Sequence, residues 1–192
     1  MQRLTVKDTN YQTRPNWGET AVSIRQATQA DAPSIAKMGY QLVAAAHKGA
    51  LPAADLNLYL HQAFNLAQVN QELAQLDGRF YLAEVAQAVV GMVKLSPGSP
   101  AEAQFGENPI ELSRLYLKQV WIGRGVGQAL MQHALLEAAK NQHDFCWLMV
   151  WAGNRRAIDF YRRWQFTIAD RIHYPIGRTS LPAYLMIRSV EA

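Results

Sequence analysis

The chain has 192 residues, of which 49% are apolar and 18% are charged, and its net charge is +4. This size and composition fit a single globular domain with one sizeable core. No apolar run approaches the length of a membrane span, and the basic residues form no polybasic tract, so we expect no membrane and no nucleic-acid partner. The single cysteine, Cys146, cannot form an internal disulfide, no metal-ligand spacing is present, and the first residues lack the apolar stretch of a signal peptide. These features predict a cytoplasmic protein without a metal.

Hydrophobic periodicity and turn residues predict an α+β chain. Residues 1–20 are polar and are interpreted as an N-terminal extension, and residues 21–192 as one domain. Thr28 as a capping residue and Pro33 in a first turn indicate where the first helix begins. The predicted elements are a strand at 22–25, helices at about 32–46, 55–63 and 66–76, a hairpin of strands at 80–85 and 89–95, a strand at 110–117, a helix from 125 to about 139, a buried strand at 145–151, a helix at 154–164, and strands at 166–172 and 183–189.

The most informative segment follows the strand at 110–117. Three glycines, Gly123, Gly125 and Gly127, alternate in a loop that opens onto a helix. Glycine lets a backbone come close to a ligand, and a helix N-terminus favours phosphate, so the loop is a candidate pyrophosphate site. A strand-to-helix turn that needs glycines only for packing is the alternative. The P-loop and dinucleotide patterns do not match, because Gln128 follows where a lysine is needed and Leu130 stands where a third spaced glycine is needed.

Two segments together resemble the cofactor-binding motifs of the GNAT N-acetyltransferases. They are Leu-Tyr-Leu at 115–117 with Gly-Arg-Gly-Val-Gly at 123–127, and Asn-Arg-Arg-Ala-Ile-Asp-Phe-Tyr-Arg-Arg-Trp-Gln-Phe at 154–166. The resemblance implies a twisted mixed sheet of about seven strands flanked by helices. Its fourth and fifth strands, 110–117 and 145–151 here, would splay apart to admit the pantetheine arm of acetyl-CoA. The chain departs from the family pattern at Ile122, where Arg or Gln is usual, and at Gln165, where Gly is usual.

The resemblance also implies roles for individual residues. Backbone groups of Leu115 and Leu117 would pair with pantetheine, and an amide of the same strand would polarise the thioester carbonyl. Asn154 either caps its helix only or also reaches pantetheine. Phe160, Arg163 and Arg124 would lie near adenine and the phosphates, and a solvated face is the alternative for the two arginines. The cofactor-binding residues implied are Leu115, Leu117, Ile122, Gly123, Arg124, Gly125, Val126, Gly127, Gln128, Asn154, Phe160 and Arg163.

Tyr161 is the first candidate for catalysis. It matches the family's tyrosine near the acetyl-CoA sulfur, and a phenol can donate a proton to the departing thiolate as a general acid. The alternative is a half-buried tyrosine on the apolar face of an amphipathic helix, since positions 157, 158 and 161 share a face.

Glu111 and His173 are the candidates for the base that accepts the proton of the attacking amine. An acid in the otherwise apolar strand at 110–117 is costly unless it is paired or functional. We expect no pair between Glu111 and Arg114, because the alternation of a strand sends them to opposite faces. A lone histidine such as His173 is more often structural.

Further segments, among them Glu-Leu-Ser-Arg-Leu-Tyr-Leu at 111–117 and Trp-Leu-Met-Val-Trp at 147–151, resemble the PaiA-like polyamine N-acetyltransferases. That resemblance implies spermidine or spermine as acceptor. The predicted function is acetyl transfer from acetyl-CoA to a primary amine of a small molecule, such as a polyamine, by direct attack in a ternary complex. The alternatives are a protein or aminoglycoside N-acetyltransferase and a binding module that senses acetyl-CoA without turnover. A homodimer is compatible with the exposed edge strands expected at the C-terminus.

Overall fold

Helices and strands are interleaved along the described chain of the computed structural model, which covers residues 21–47, 49–75, 78–100, 105–176 and 178–190. The predicted extension at 1–20 lies outside these residues. The strands are β1 Ser23–Gln26, β2 Arg79–Val85, β3 Ala88–Pro97, β4 Ile110–Leu117, β5 Phe145–Trp151, β6 Thr167–Ile176 and β7 Thr179–Ser189. The helices are α1 Ala32–Ala46, α2 Ala53–Ala63, α3 Leu66–Ala74, α4 Val126–Lys140 and α5 Arg155–Arg163.

The strands form one seven-stranded sheet in the order β1-β2-β3-β4-β5-β7-β6. Neighbours are antiparallel except β4 and β5, which are parallel because α4 crosses between them. This confirms the predicted fold class, a twisted mixed sheet of seven strands flanked by helices. The order of elements along the chain is also as predicted.

The last hairpin is longer than predicted and contains two prolines. Proline usually ends a strand, yet Pro175 and Pro182 both lie within strands. Pro175 is on β6, the edge of the sheet, where a missing N–H has no partner to lose. The Pro182 carbonyl accepts from the Ala152 N–H at 2.9 Å, so the polar groups of Pro182 face β5. β5 ends at Trp151, so the nitrogen of Pro182 lies beyond the last residue of that strand. Neither proline therefore removes a ladder hydrogen bond.

Alternate side chains of the sheet enter two separate cores, as the two-residue period of a strand requires. One core lies between the sheet and α1, α2 and α3, and includes Ile35, Leu60, Val69, Phe80, Leu82 and Met92. The other lies under α4 and α5, and includes Tyr81, Val93, Leu95, Leu130, Ile158 and Phe166. The two faces of the sheet are therefore covered by different parts of the chain.

β4 and β5 separate after two residue pairs. Ile110 pairs with Cys146 and Glu111 with Trp147, and the rest of β4 has no partner on β5 among the described residues. Beyond this point β5 continues to pair with β7 as far as Trp151, and β4 continues to pair with β3 as far as Leu117. The sheet thus opens into a wedge-shaped gap, which confirms the splayed fourth and fifth strands.

A bulge in β4 changes which side chains share a face. Leu112 pairs with Leu95 and Arg114 with Lys94, so Ser113 is an extra residue without a partner on β3. The extra residue brings Glu111 and Arg114 onto the same face, the one covered by α1, α2 and α3. The expectation that these two side chains point to opposite faces is therefore wrong, because strict alternation fails at a bulge.

Candidate active site

The turn between β4 and α4 presents main-chain amides that the helix does not use. After a short 3₁₀ turn at Gln119–Trp121, Gly123 and Gly125 adopt left-handed conformations with φ of 77° and 78°. The first hydrogen bond of α4 runs from the Ala129 N–H to the Gly125 carbonyl at 3.0 Å. The N–H groups of residues 126–128 therefore have no acceptor within the helix and point out of its positive end. This geometry suits a diphosphate.

Gly127 allows close packing at the mouth of the gap. A Cβ on this residue would lie 3.2 Å from the Leu117 side chain and 3.6 Å from the Phe160 ring. The start of α4 is therefore pressed against the end of β4 and against α5. Arg124 stacks over the Trp121 ring at 5.5 Å, at the outer side of the same turn.

The main chain of β4 is directed into the gap at alternate residues. The Lys118 N–H donates to the Val90 carbonyl of β3 at 2.9 Å, so the polar groups of Lys118 face β3. These groups alternate sides along a strand, so those of Leu117 and Leu115 face the opposite side, where β5 has diverged. An extended ligand in the gap would meet them as a strand meets its neighbour.

Tyr161 of α5 lies close enough to both diverging strands for residues of each to shift the pKa of its phenol. The ring is 8% exposed and packs edge-on against Phe160 and Phe166, with centroids 5.6 and 5.9 Å away. Burial raises the pKa of this phenol, and Tyr116 in β4 and Cys146 in β5 raise it further. The group is therefore protonated at neutral pH, which is the state that a general acid requires.

Glu111 occupies the last paired position before the gap, on the face opposite to α4. Burial raises the pKa of its carboxyl, and the positive charges of Lys94 and Arg114 partly offset this shift. Among the described residues, its carboxylate has no hydrogen bond and no ion pair within 4.0 Å. A half-buried carboxylate with a raised pKa and no partner has the properties of a base.

The family model for the acetyltransferase (GNAT) family matches residues 41–166, which include β4, the glycine turn, the gap and Tyr161. The chain belongs to the GNAT acetyltransferase family. It is an acetyl-CoA-dependent N-acetyltransferase. Its candidate site therefore has to hold a diphosphate, a pantetheine arm and a thioester. The turn suits the diphosphate, and the gap suits the pantetheine arm and the thioester.

This GNAT acetyltransferase is similar to a protein of Lactobacillus delbrueckii subsp. lactis that is named as an uncharacterized N-acetyltransferase in the pepI 3' region. The two are 26% identical over 142 residues, and the match covers 74% of the chain and 82% of that protein. Its fold is similar to PaiA N-acetyltransferase from Thermoplasma acidophilum in complex with coenzyme A, with a TM-score of 0.73, 18% identity and coverage of 88% and 99% of the two chains. Arabidopsis thaliana NAA60 in complex with a bisubstrate analogue has a TM-score of 0.68, 15% identity and coverage of 89% and 100%.

The remaining predicted cofactor residues of the GNAT acetyltransferase surround the turn and the gap. Asn154 caps α5, since its Oδ1 accepts from the Ala157 N–H at 3.1 Å. Ile122 is half-buried at the end of the 3₁₀ turn, where it places an apolar side chain instead of the usual Arg or Gln. Phe160 is half-buried beside Gly127, and Arg163 is exposed one turn further along α5.

His173, the second candidate for the base, lies away from this arrangement. It is exposed on the edge strand β6, and its neighbours Ile172 and Tyr174 point to the opposite face. Of the two predicted bases, the structure brings Glu111 to the gap and leaves His173 on the outer surface of the sheet.

Three further tyrosines, Tyr59, Tyr116 and Tyr174, lie close to one another, and no role was predicted for them from the sequence. The Tyr59 and Tyr174 rings meet edge-on with centroids 6.5 Å apart. Burial raises the pKa of Tyr59, and Tyr116 and Tyr174 contribute to the increase. Tyr116 in turn raises the pKa of Tyr161. The tyrosines therefore form a series that extends from α2 across the gap to α5. Their proximity could not be predicted from a local pattern, because they come from α2, β4 and β6.

Replacing Gly125 by alanine should weaken coenzyme A binding by about tenfold. An L side chain at this left-handed φ costs about 1–2 kcal/mol, which the loop would recover only by turning its amides away. Titration calorimetry with coenzyme A measures the effect. Gly49→Ala is the matched control, because Gly49 has φ of 80°, has nothing within 4 Å of an added Cβ, and lies between α1 and α2. Equal losses in both variants would contradict the role of the turn.

Proposed function

We propose that this acetyltransferase acetylates a primary amine of a small molecule, with a polyamine as the leading class, by direct attack within a ternary complex. The observation that carries the proposal is the closed acceptor side of the site. The cofactor residues lie on the face of α4, so an acceptor must reach the thioester from the face of Glu111. On that face, α2 and the β6–β7 hairpin are in direct contact.

Two sets of contacts close this side. Leu51, Ile176 and Leu181 form a small buried core with Tyr59 and Trp151 packed against it. Asp55 at the start of α2 accepts from the Arg178 N–H at 3.0 Å and from the Thr179 hydroxyl at 2.5 Å. A polypeptide acceptor would have to part these contacts, whereas a small amine would not.

The proposed reaction uses groups on both sides of the gap. The Glu111 carboxylate takes a proton from the acceptor ammonium, and the neutral nitrogen attacks the thioester carbonyl carbon. An N–H of Leu115 or Leu117 stabilises the oxyanion. When the C–S bond breaks, Tyr161 donates its phenolic proton to the leaving sulfur, and the nitrogen releases its second proton to solvent as the amide forms. Glu111 then releases its proton to solvent and Tyr161 regains one, so each turnover releases one proton from the acceptor ammonium. An acetyl-enzyme intermediate is not invoked, because Cys146 is fully buried and burial raises the pKa of its thiol to about 12.

The partners of four acidic residues limit how a polyamine would bind. Asp55 and Glu72 are committed to hydrogen bonds and ion pairs inside the protein, and Glu84 is paired with Arg25 on β1. Glu111 is the remaining acid of this group. A polyamine would therefore place its reacting nitrogen at Glu111 and keep its other ammonium groups in solvent.

An acceptor screen tests the proposal. Thiol release from acetyl-CoA should be fastest with spermidine or spermine and slow with an aminoglycoside or a peptide N-terminus. Faster release with the peptide would contradict the closed acceptor side. Tight acetyl-CoA binding without thiol release for any amine would instead favour a sensor.

We also propose a reducing, cytoplasmic location, which the lone buried thiol supports, and a dimer through the exposed edge of β6 remains a prediction. No helix among the described residues is both long and apolar enough to cross a membrane.

A further inference from the structure

A buried ion network lies directly beside Glu111. Glu72 of α3 is 6% exposed and binds Arg114 through both oxygens, at 2.7 and 3.0 Å. Its Oε2 also lies 3.1 Å from the Lys94 ammonium, and its Oε1 accepts from the Gln68 amide at 3.0 Å. One carboxylate of α3 thus holds two cations of the central sheet.

Aromatic rings fix the same two cations. The Arg114 guanidinium lies over the Phe64 ring at 4.7 Å and over the Phe80 ring at 5.6 Å, and it donates to the Ala63 carbonyl at 3.2 Å. The Lys94 ammonium lies over Phe80 at 5.4 Å. Cation–π contacts of this kind are strongest where water is excluded. Both cations therefore have an anionic and an aromatic partner other than Glu111.

The register places Glu111 on the same face of the sheet. Lys94 pairs with Arg114 across β3 and β4, and Glu111 pairs with Ser96, two residues along β3 from Lys94. Glu111 is thus within the field of both cations and bonded to neither. Among the described residues, Glu72 and Glu111 are the two carboxylates that act on Lys94, so without Glu72 the remaining one would be Glu111.

We infer that Glu72 is a positioning residue. It holds Lys94 and Arg114 against the rings of Phe64 and Phe80, and it thereby keeps the Glu111 carboxylate unpaired at the gap. The inference rests on the proposed role of Glu111 as the base. A carboxylate paired with two cations is a weak base, so Glu72 preserves the basicity of Glu111 by binding the two cations itself. The negative charge of Glu72 and its restraint on Lys94 and Arg114 both keep the pKa of Glu111 from falling.

The charged and titratable groups that act on Glu111 come from each strand beside it and from the covering helix. They are Lys94 from β3, Arg114 from β4, the buried Cys146 thiol from β5, and Glu72 from α3, which reaches Glu111 through the two cations. Removing one charge at a time from this set therefore predicts opposite shifts in the pKa of Glu111.

Carbon-13 NMR of protein labelled at the glutamate carboxyl carbons tests the inference without an acceptor. The Glu111 resonance is assigned as the signal that Glu111→Gln removes. Glu72→Gln should lower the pKa of Glu111 by about one pH unit, and Lys94→Met should raise it by a similar amount, as expected for one charge at several ångströms in a half-buried site. The double variant should return it close to the wild-type value. Lys94→Met keeps the bidentate Glu72–Arg114 pair, so it keeps the inference testable if Glu72→Gln does not fold.

Glu137→Gln is the matched control. Glu137 is also ion-paired, with Lys140 at 2.6 Å, and bonded to the Tyr81 hydroxyl at 3.0 Å, but it belongs to α4, which covers the other face of the sheet. Its variant should leave the Glu111 titration unchanged. An unchanged titration in Lys94→Met, or shifts of the same sign in both single variants, would overturn the inference. The assignment of Glu111 as base fails separately, if the rate of Glu111→Gln equals that of the wild type while these titration shifts are observed.

Discussion

Glu111→Gln is expected to lower kcat/KM for the amine acceptor by about 100-fold at neutral pH, the lower end of what a positioned base contributes. The amide has nearly the shape of the carboxylate and cannot take the proton of the attacking ammonium. Acetyl-CoA binding should be unchanged, since the cofactor residues lie on the other side of the gap. Steady-state thiol release and calorimetry measure the two quantities.

The pH dependence of the Glu111→Gln defect has a defined sign. Burial raises the pKa of Glu111 above the ordinary glutamate value, and the base is active only when deprotonated, that is, above this pKa. The ratio of wild-type to variant rates should therefore be close to one at low pH, rise through the pKa of Glu111 and then remain constant. The acceptor's own titration is common to both enzymes and cancels in the ratio. Glu107→Gln, at an exposed position just before β4, is the control, and a ratio independent of pH would contradict the role.

Tyr161→Phe is expected to lower kcat by about tenfold or more and to leave coenzyme A affinity nearly unchanged. The phenylalanine ring keeps the packing against Phe160 and Phe166, so only the proton donor is lost. Single-turnover thiol release should show the defect in the chemical step. Calorimetry with coenzyme A reports whether the site is intact.

Tyr81→Phe provides the comparison for Tyr161→Phe. Tyr81 is also a buried tyrosine of the core under α4, and its hydroxyl donates to Glu137 at 3.0 Å. Loss of that hydroxyl should affect stability and leave kcat unchanged. Equal turnover in wild type and Tyr161→Phe would show that the phenol is only a packing element of α5.

Local features of the site could be predicted because short-range chemistry fixes them. The glycine turn requires left-handed backbone at Gly123 and Gly125, and Asn154 caps α5 as its position before the helix indicates. Gln165, which replaces the usual glycine after α5, adopts φ of 64° and accepts the strain of a left-handed non-glycine residue. The bulge at Ser113 could not be predicted, because it depends on the register with β3 and carries no glycine or proline signal.

The sequence by itself determined the order of the elements and the glycine turn before α4, because these follow from periodicity, capping and residues adjacent in the chain. The family was indicated by the resemblance of two short motifs, which are also local in the chain. The tertiary structure alone decided which charges meet. Glu72, Lys94, Arg114 and Glu111 come from α3, β3 and β4, and only the packing of α3 on a bulged sheet brings them to one face. Ion pairing depends on distances between segments far apart in the chain, and a one-residue change in register would send each of these side chains to the opposite face.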